Sequence, residues 1–261
     1  MQRRDGFRAA AAAALLINFG WRNAMAAARN TLSIERDALD ILNRLADRDI
    51  PGKVGFDTRM RALIETASLT ALGDERTIAE RFGKALASGV EPLALREAVM
   101  QTMAYSGLAR ARTALAELEA ACRAAGKPIP VESAATVTDA NRFERGLAAQ
   151  KGIFGPAIDA MHKSAKADER FLTVDLLTGY CFGDSYTRSG LSLKERELLT
   201  FAAIASLGGC EPQVKAHAAG NLSVGTTRRE LIDAIVVMLP YIGFPKSLNA
   251  LAMVNEAAPA A

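Results

Sequence analysis

The chain has 261 residues, half of them hydrophobic but only 6% aromatic, and its 32 basic and 29 acidic side chains leave a formal net charge of +3. That is enough apolar material for a sizeable core, and the near balance of charges spread along the chain argues against a broad basic face for nucleic acid. The cysteines Cys122, Cys181 and Cys210 lie far apart without CxxC or metal-ligand spacing, and only His162 and His217 could supply imidazole, so neither a disulfide framework nor a metal is expected.

Ala and Leu interleaved with Glu, Arg and Lys favour helix throughout, with almost no strand. At the N-terminus Arg3-Arg4 and Phe7 precede the apolar run Ala9 to Ile17, and Ala24-Met25-Ala26 supplies a small-x-small site. That order over residues 1–30 resembles a twin-arginine export signal and points to the periplasm; the alternative is an Ala-rich N-terminal helix of a cytoplasmic protein. The run is too short to span a bilayer, and no other segment suggests a membrane. A helix is expected from Leu32 to Ala46, with Leu39, Ile41, Leu42 and Leu45 on its apolar side, ending before Pro51-Gly52.

Residues 31–125 form a first helical unit, with three or four helices between Phe56 and Ala125 broken at Gly73, at Gly89 to Pro92 and at Gly107. Pro, Ser and Thr then interrupt the periodicity, making 126–140 a linker. A second unit, 141–257, opens with a helix over Asn141 to Gln150 and another from Pro156, followed by aromatic residues at Phe171, Tyr180, Phe182 and Tyr186. Ser192 with Glu195 forms a capping box that starts a helix Lys194 to Ser206; Gly208-Gly209 ends it, and Pro212 opens the next, which runs to Val224. Thr227 with Glu230 repeats the box, and its helix is expected to stop at Leu239 before Pro240, with a last helix from Pro245 to Glu256.

The two units superpose in sequence. Gly89/Gly225, Leu95/Leu231, Ala98/Ala234, Tyr105/Tyr241, Gly107/Gly243 and Leu115/Leu251 all fall at an offset of 136 residues, whereas Leu72/Leu207 and Arg61/Arg196 fall at 135. This is an internal repeat with one extra residue in the second copy and a one-residue ambiguity upstream of Gly208.

Only the second copy carries a constellation able to do chemistry. Cys210, Gln213 and His217 are spaced by three and four residues, so they share a helix face, with Asn221 continuing the stripe. Cys210 at a helix N-terminus reads either as a reactive thiol or as a small packed hydrophobe. His217 can act as general acid or base if a neighbour orients it, and Glu197, on the preceding antiparallel helix, is the candidate neighbour. The first copy places Arg81 opposite His217, and Arg61 or Ala62 opposite Glu197. His162 has no such partner and is expected at a surface or interface.

The runs Arg196 to Ala203, Gln213 to His217, Tyr241-Ile242-Gly243-Phe244-Pro245 and Leu248-Asn249-Ala250, with Ile153-Phe154-Gly155 and Phe182 to Leu191 ahead of them, resemble the carboxymuconolactone decarboxylase family. The resemblance implies an all-α fold of two tandem units of the alkyl hydroperoxidase D type, the second complete and the first degenerate. It implies either of two activities. In one, a cofactor-free decarboxylase acts on a small carboxylated lactone: His217 protonates the developing dienolate, Glu197 orients it, and backbone amides near Gly208 to Glu211 or Arg188 steady the anion. Gln213, Tyr241 and Phe244 would then help to shape the substrate pocket. In the other, Cys210 stands where the thiol peroxidases of this fold carry the first cysteine of a CxxC pair; with Gln213 in place of the second, only a one-cysteine peroxidase using an external thiol remains open. A third reading is a noncatalytic assembly module. Because the family forms hexameric rings of single units, a tandem chain implies a homotrimer.

Overall fold

The computed structural model describes residues 33–128 and 131–259; the expected export segment lies outside them. Among the described residues every regular element is helical. The described residues fall into two units, one ending at Arg44 and the other beginning at Leu45. In the first, a short 3-10 turn, Ser33–Glu35, leads into α1, Arg36–Arg44, none of whose residues is buried. Its expected apolar stripe is therefore not a core face, and Ile41 is more than half exposed.

The second copy of the repeat, and the first from Leu45 onward, lie in the larger unit. A five-residue π-turn, Leu45–Asp49, precedes α2 (Thr58–Leu72), α3 (Glu75–Ala87), α4 (Pro92–Ser106) and α5 (Leu108–Ala124). The second half has α6 (Arg142–Phe154), α7 (Ala157–Ser164), a π-helix over Phe171–Tyr186, α8 (Leu193–Leu207), α9 (Glu211–Ser223) and α10 (Arg228–Ala257). The anticipated boxes at Ser192/Glu195 and Thr227/Glu230 start α8 and α10, each closing two backbone donors that would otherwise be unpaired.

Backbone geometry repeats with sequence. Gly89 and Gly225 both have φ of 88°, and Gly107 and Gly243 have φ of 84° and 72° with ψ near extended, a combination that only glycine adopts without strain. This corrects the expected stop at Pro240. That proline lies inside α10 and costs a ladder hydrogen bond, but the helix continues to Ile242 and breaks at Gly243, where its counterpart breaks at Gly107. The run is apolar enough over its length to cross a membrane, yet this kink divides it, and Leu231, Ala234, Val237, Met238 and Val254 are buried in the core.

The structure also resolves the register. Asp57 and Ser192 cap α2 and α8 at an offset of 135, and Gly73 and Gly208 end them at the same offset, whereas α3 and α9 begin 136 apart. The extra residue thus lies in the turn Gly208 to Cys210, and Glu197 corresponds to Ala62. The equivalent helices α2 and α8 pack on one another, and their side chains, with those of α4 and α10, share one core. Each copy's entry loop is clasped by the other's buried carboxylate: Asp233 Oδ2 accepts from Gly55 N at 2.9 Å, and Gly190 lies against Glu97, its equivalent on α4. A Cβ on Gly190 would meet Glu97 Cγ at 3.1 Å, and one on Gly146 would meet the π-helix backbone at Thr178 O at 2.1 Å, so both contacts depend on glycine.

Candidate active site

Glu197 enters the core one turn into α8, and the tight Gly208-Gly209 turn sends α9 back antiparallel, setting His217 beside it. His217 Nδ1 lies 2.7 Å from Glu197 Oε1. Gly220, on the same face of α9, permits this approach: a Cβ there would lie 2.5 Å from Glu197 Oε1 and 2.8 Å from Ile153 Cγ2. Asn221, one turn beyond His217, donates from Nδ2 to the carbonyls of Glu197 (3.0 Å) and His217 (2.8 Å), tying the two helices together at the pair.

The second carboxylate oxygen, Glu197 Oε2, accepts from the Tyr186 hydroxyl at 2.7 Å. Tyr186 Oη also lies 2.8 Å from Thr200 Oγ1, and one phenolic proton serves only one partner, so with it directed at Glu197 the threonine is donor at the second contact. Gln101 Nε2 donates to Thr200 at 3.0 Å, and Arg196 donates to Gln101 Oε1 at 3.1 Å. The result is a buried chain of donors running from a guanidinium to the Glu197 carboxylate, closed at its far end by the imidazole. Tyr105 Oη lies 3.1 Å from Tyr186 Oη and accepts from the Cys181 thiol at 3.4 Å. Burial, then the Glu197 charge, pushes the Tyr186 phenol well above its ordinary range. Burial likewise raises Tyr105, and it lifts the Cys181 thiol to about 11, so both tyrosines stay protonated and Cys181 stays a thiol near neutrality.

The imidazole is held by ring edges as well. Phe154 and Tyr105 meet it edge to face at centroid distances of 5.4 and 5.8 Å, and Phe182 stacks on Tyr186 at 4.7 Å. Glu197 is wholly buried and the His217 side chain is 10% exposed, so the ring is where this pair reaches solvent. Tyr105 comes from the first copy, so the site is completed across the repeat. Among the described residues no three His, Cys, Asp or Glu side chains converge as a metal would require.

The other residues singled out from the sequence lie elsewhere. Cys210 caps α9, partly exposed, its thiol directed at Gly208 O (3.5 Å) beside a hollow of about 10 Å³ shared with Lys246, room for one water. Among the described residues no hydrogen bond joins it to His217 or Glu197, because the cap stands two turns from His217 along α9. Gln213 is exposed despite its shared helix spacing. Arg188 is directed to Glu97 instead, donating at 2.7 and 2.9 Å, with Arg196 at 3.3 Å on the same carboxylate. Tyr241, the repeat counterpart of Tyr105, lies against Arg81 of the first copy at 5.7 Å, and Phe244 is 67% exposed beyond the Gly243 kink. His162, expected at a surface or interface, is partly exposed, with Nε2 3.2 Å from Thr178 Oγ1.

Sequence reasoning missed Tyr186 and Tyr105 as hydrogen-bonding members, and Thr200, Gln101 and Gly220 altogether. The one available signal for Gly220 was a glycine in the middle of a strong helix pattern, three residues after the candidate histidine.

Comparison with known proteins gives the chain's relatives. Over 102 residues, 38% of this chain and 74% of the relative, it is 34% identical to an uncharacterized 15.0 kDa protein from the nqo9-nqo10 intergenic region of Paracoccus denitrificans. Over 120 residues, 46% of this chain and 89% of the relative, it is 25% identical to a 4-carboxymuconolactone decarboxylase of Acinetobacter baylyi. The pattern of the carboxymuconolactone decarboxylase family matches twice, over residues 36–120 and 172–256, two stretches that begin 136 residues apart, as the internal repeat does. With two matched copies that together cover more than half of its length, the chain belongs to the carboxymuconolactone decarboxylase family.

Proposed function

We propose that the protein decarboxylates a small carboxylated lactone, or a related acid, without a cofactor, at His217 and Glu197. The observation that carries this reading is the 2.7 Å contact between a fully buried carboxylate and an imidazole that alone reaches solvent. Decarboxylation breaks the bond from the ring to the carboxylate carbon; carbon dioxide leaves, and the electron pair passes through the conjugated ring toward the lactone carbonyl. The resulting dienolate takes a proton on carbon, so one proton is consumed per turnover. His217, held by Glu197 at Nδ1, delivers that proton from Nε2, and the carboxylate balances the charge of the imidazolium during transfer. Tyr186 holds the other carboxylate oxygen, so Glu197 cannot rotate away from the ring. Backbone amides at the Gly208 to Glu211 turn remain the candidate donors to the anion, since Arg188 is taken up by Glu97.

The test is carbon dioxide release with proton uptake from a carboxymuconolactone, run on wild type, His217→Ala, Glu197→Gln and Cys210→Ser, each shown to be folded by circular dichroism. Loss of about 10²-fold or more in the first two variants, with Cys210→Ser unimpaired, is the expected result. Full turnover by folded His217→Ala overturns it. If peroxide with a dithiol is consumed instead, and Cys210→Ser abolishes that, the protein is a one-cysteine peroxidase.

A further inference from the structure

The first copy has lost the glutamate and histidine pair, but its corresponding position is not filled in. A cavity of about 430 Å³ opens there, of a size that takes small ligands, lined by Asp47, Thr58, Arg61, Glu65, Arg81 and Lys84 among others. Arg81 stands at the place of His217 and Glu65 at that of Thr200, and Tyr241 of the second copy covers the guanidinium as Tyr105 covers the imidazole. The two sites are thus exchanged versions of one plan, with different chemistry. An arginine cannot exchange a proton near neutrality, but it presents a planar fork for an oxyanion.

The fork is only half used. Arg81 is 6% exposed, and its Nη1 donates to Asp47, which Lys84 also contacts at 2.8 Å. Its Nε and Nη2 are buried without a hydrogen bond; Glu65 Oε2 lies 3.8 Å from Nε, beyond hydrogen-bonding reach. A buried guanidinium with that edge unbonded is costly unless a ligand completes it. We propose that this cavity is a second, noncatalytic binding site for a small organic carboxylate, received on the Nε and Nη2 edge of Arg81.

The charge inventory selects the class. Arg61, Arg81 and Lys84 against Asp47 and Glu65 leave one net positive charge, which suits a monoanion better than the near-dianion of inorganic phosphate. The side-on edge of arginine also matches the two oxygens of a carboxylate. The proposal does not rest on the reading of His217 and Glu197, whose atoms lie in the other copy.

Calorimetric titration of the full chain with benzoate, with neutral benzamide and with inorganic phosphate tests it, on wild type, Arg81→Lys, Ala87→Glu and Glu197→Gln. Arg81→Lys keeps the charge and removes the fork. Ala87 is exposed on the cavity wall, so Ala87→Glu sets a repelling charge there without disturbing the core. The expected result is saturable binding of benzoate with a Kd of about 1 mM or tighter. Arg81→Lys should weaken it by about tenfold or more and Ala87→Glu by a few fold, Glu197→Gln should leave it unchanged, and benzamide should not bind. No saturable benzoate binding overturns the site. Binding that survives both Arg81→Lys and Ala87→Glu, or that is lost in Glu197→Gln, places the ligand elsewhere and also overturns it. Phosphate binding as tightly as benzoate overturns the assignment to a carboxylate.

Discussion

Gly220 and Gly83 both lie inside helices of the repeat, α9 and α3, and an alanine at either position would ordinarily stabilise the protein by about 0.5–1 kcal/mol through backbone entropy. At Gly83 a Cβ meets nothing within 4 Å, so that gain should appear in full. At Gly220 the same methyl lies 2.5 Å from Glu197 Oε1, 2.8 Å from Ile153 Cγ2 and 3.0 Å from Phe154 Cε1, so at least one of three packed groups must move. Forcing a carbon into a filled core costs about 1–3 kcal/mol, which leaves Gly220→Ala destabilised by up to about 2.5 kcal/mol after the helix gain is subtracted. For a chain of this size that lowers Tm by up to about 10 °C, whereas Gly83→Ala raises it by about 1–4 °C. Scanning calorimetry on the two variants and wild type measures both signs at once. Because the displaced atom is the one that holds His217, any turnover assigned to the pair should also fall in Gly220→Ala, by about 10²-fold for a shift near 1 Å, and stay level in Gly83→Ala. If Gly220→Ala melts at or above wild type, the helices do not approach as described, and the account of how Glu197 reaches His217 fails.

Four further outcomes are expected. Removing Glu97 with Glu97→Ala leaves the buried Arg196 and the partly buried Arg188 without their shared carboxylate and should cost about 3–5 kcal/mol in urea unfolding; a loss below about 1 kcal/mol would show the cluster to be dispensable. Burial alone would raise the Glu97 carboxyl, but its bond to Arg188 and the nearby guanidinium charges hold it below the ordinary carboxylate value, so its stabilising effect is full above about pH 4.3 and disappears as pH falls through the lowered value. The gap in stability between wild type and Glu97→Gln should therefore narrow on acidification, and a gap that widens would contradict the sign. Iodoacetamide at pH 8 should label partly exposed Cys210 and spare Cys181, whose thiol is buried and raised to about 11, as peptide mass spectrometry would reveal; equal labelling of the two would refute the described burial. Finally, light scattering should return the mass of three chains, following the ring assembly that the family resemblance implies, and a monomer would rule that out.

Much of this was legible along the chain. Gly89 and Gly225, Gly107 and Gly243, and the boxes at Ser192 and Thr227 announced the repeat and its helix ends, because caps and left-handed glycines act within a few residues and leave their signature in local sequence. The pairing of Glu197 with His217 was also foreseeable, since a short turn between two helices permits only an antiparallel return. Other features arise from side chains far apart in sequence. Pro240 did not end its helix, because the break belongs to Gly243. Tyr105, 112 residues from His217, joins the site only because each copy completes the other, and the same exchange carries Tyr241 away from His217 to Arg81. Helix periodicity assigns a residue to a face; which partner that face meets depends on how α2 and α8 cross at the centre of the fold, and packing over such distances writes no period into the sequence.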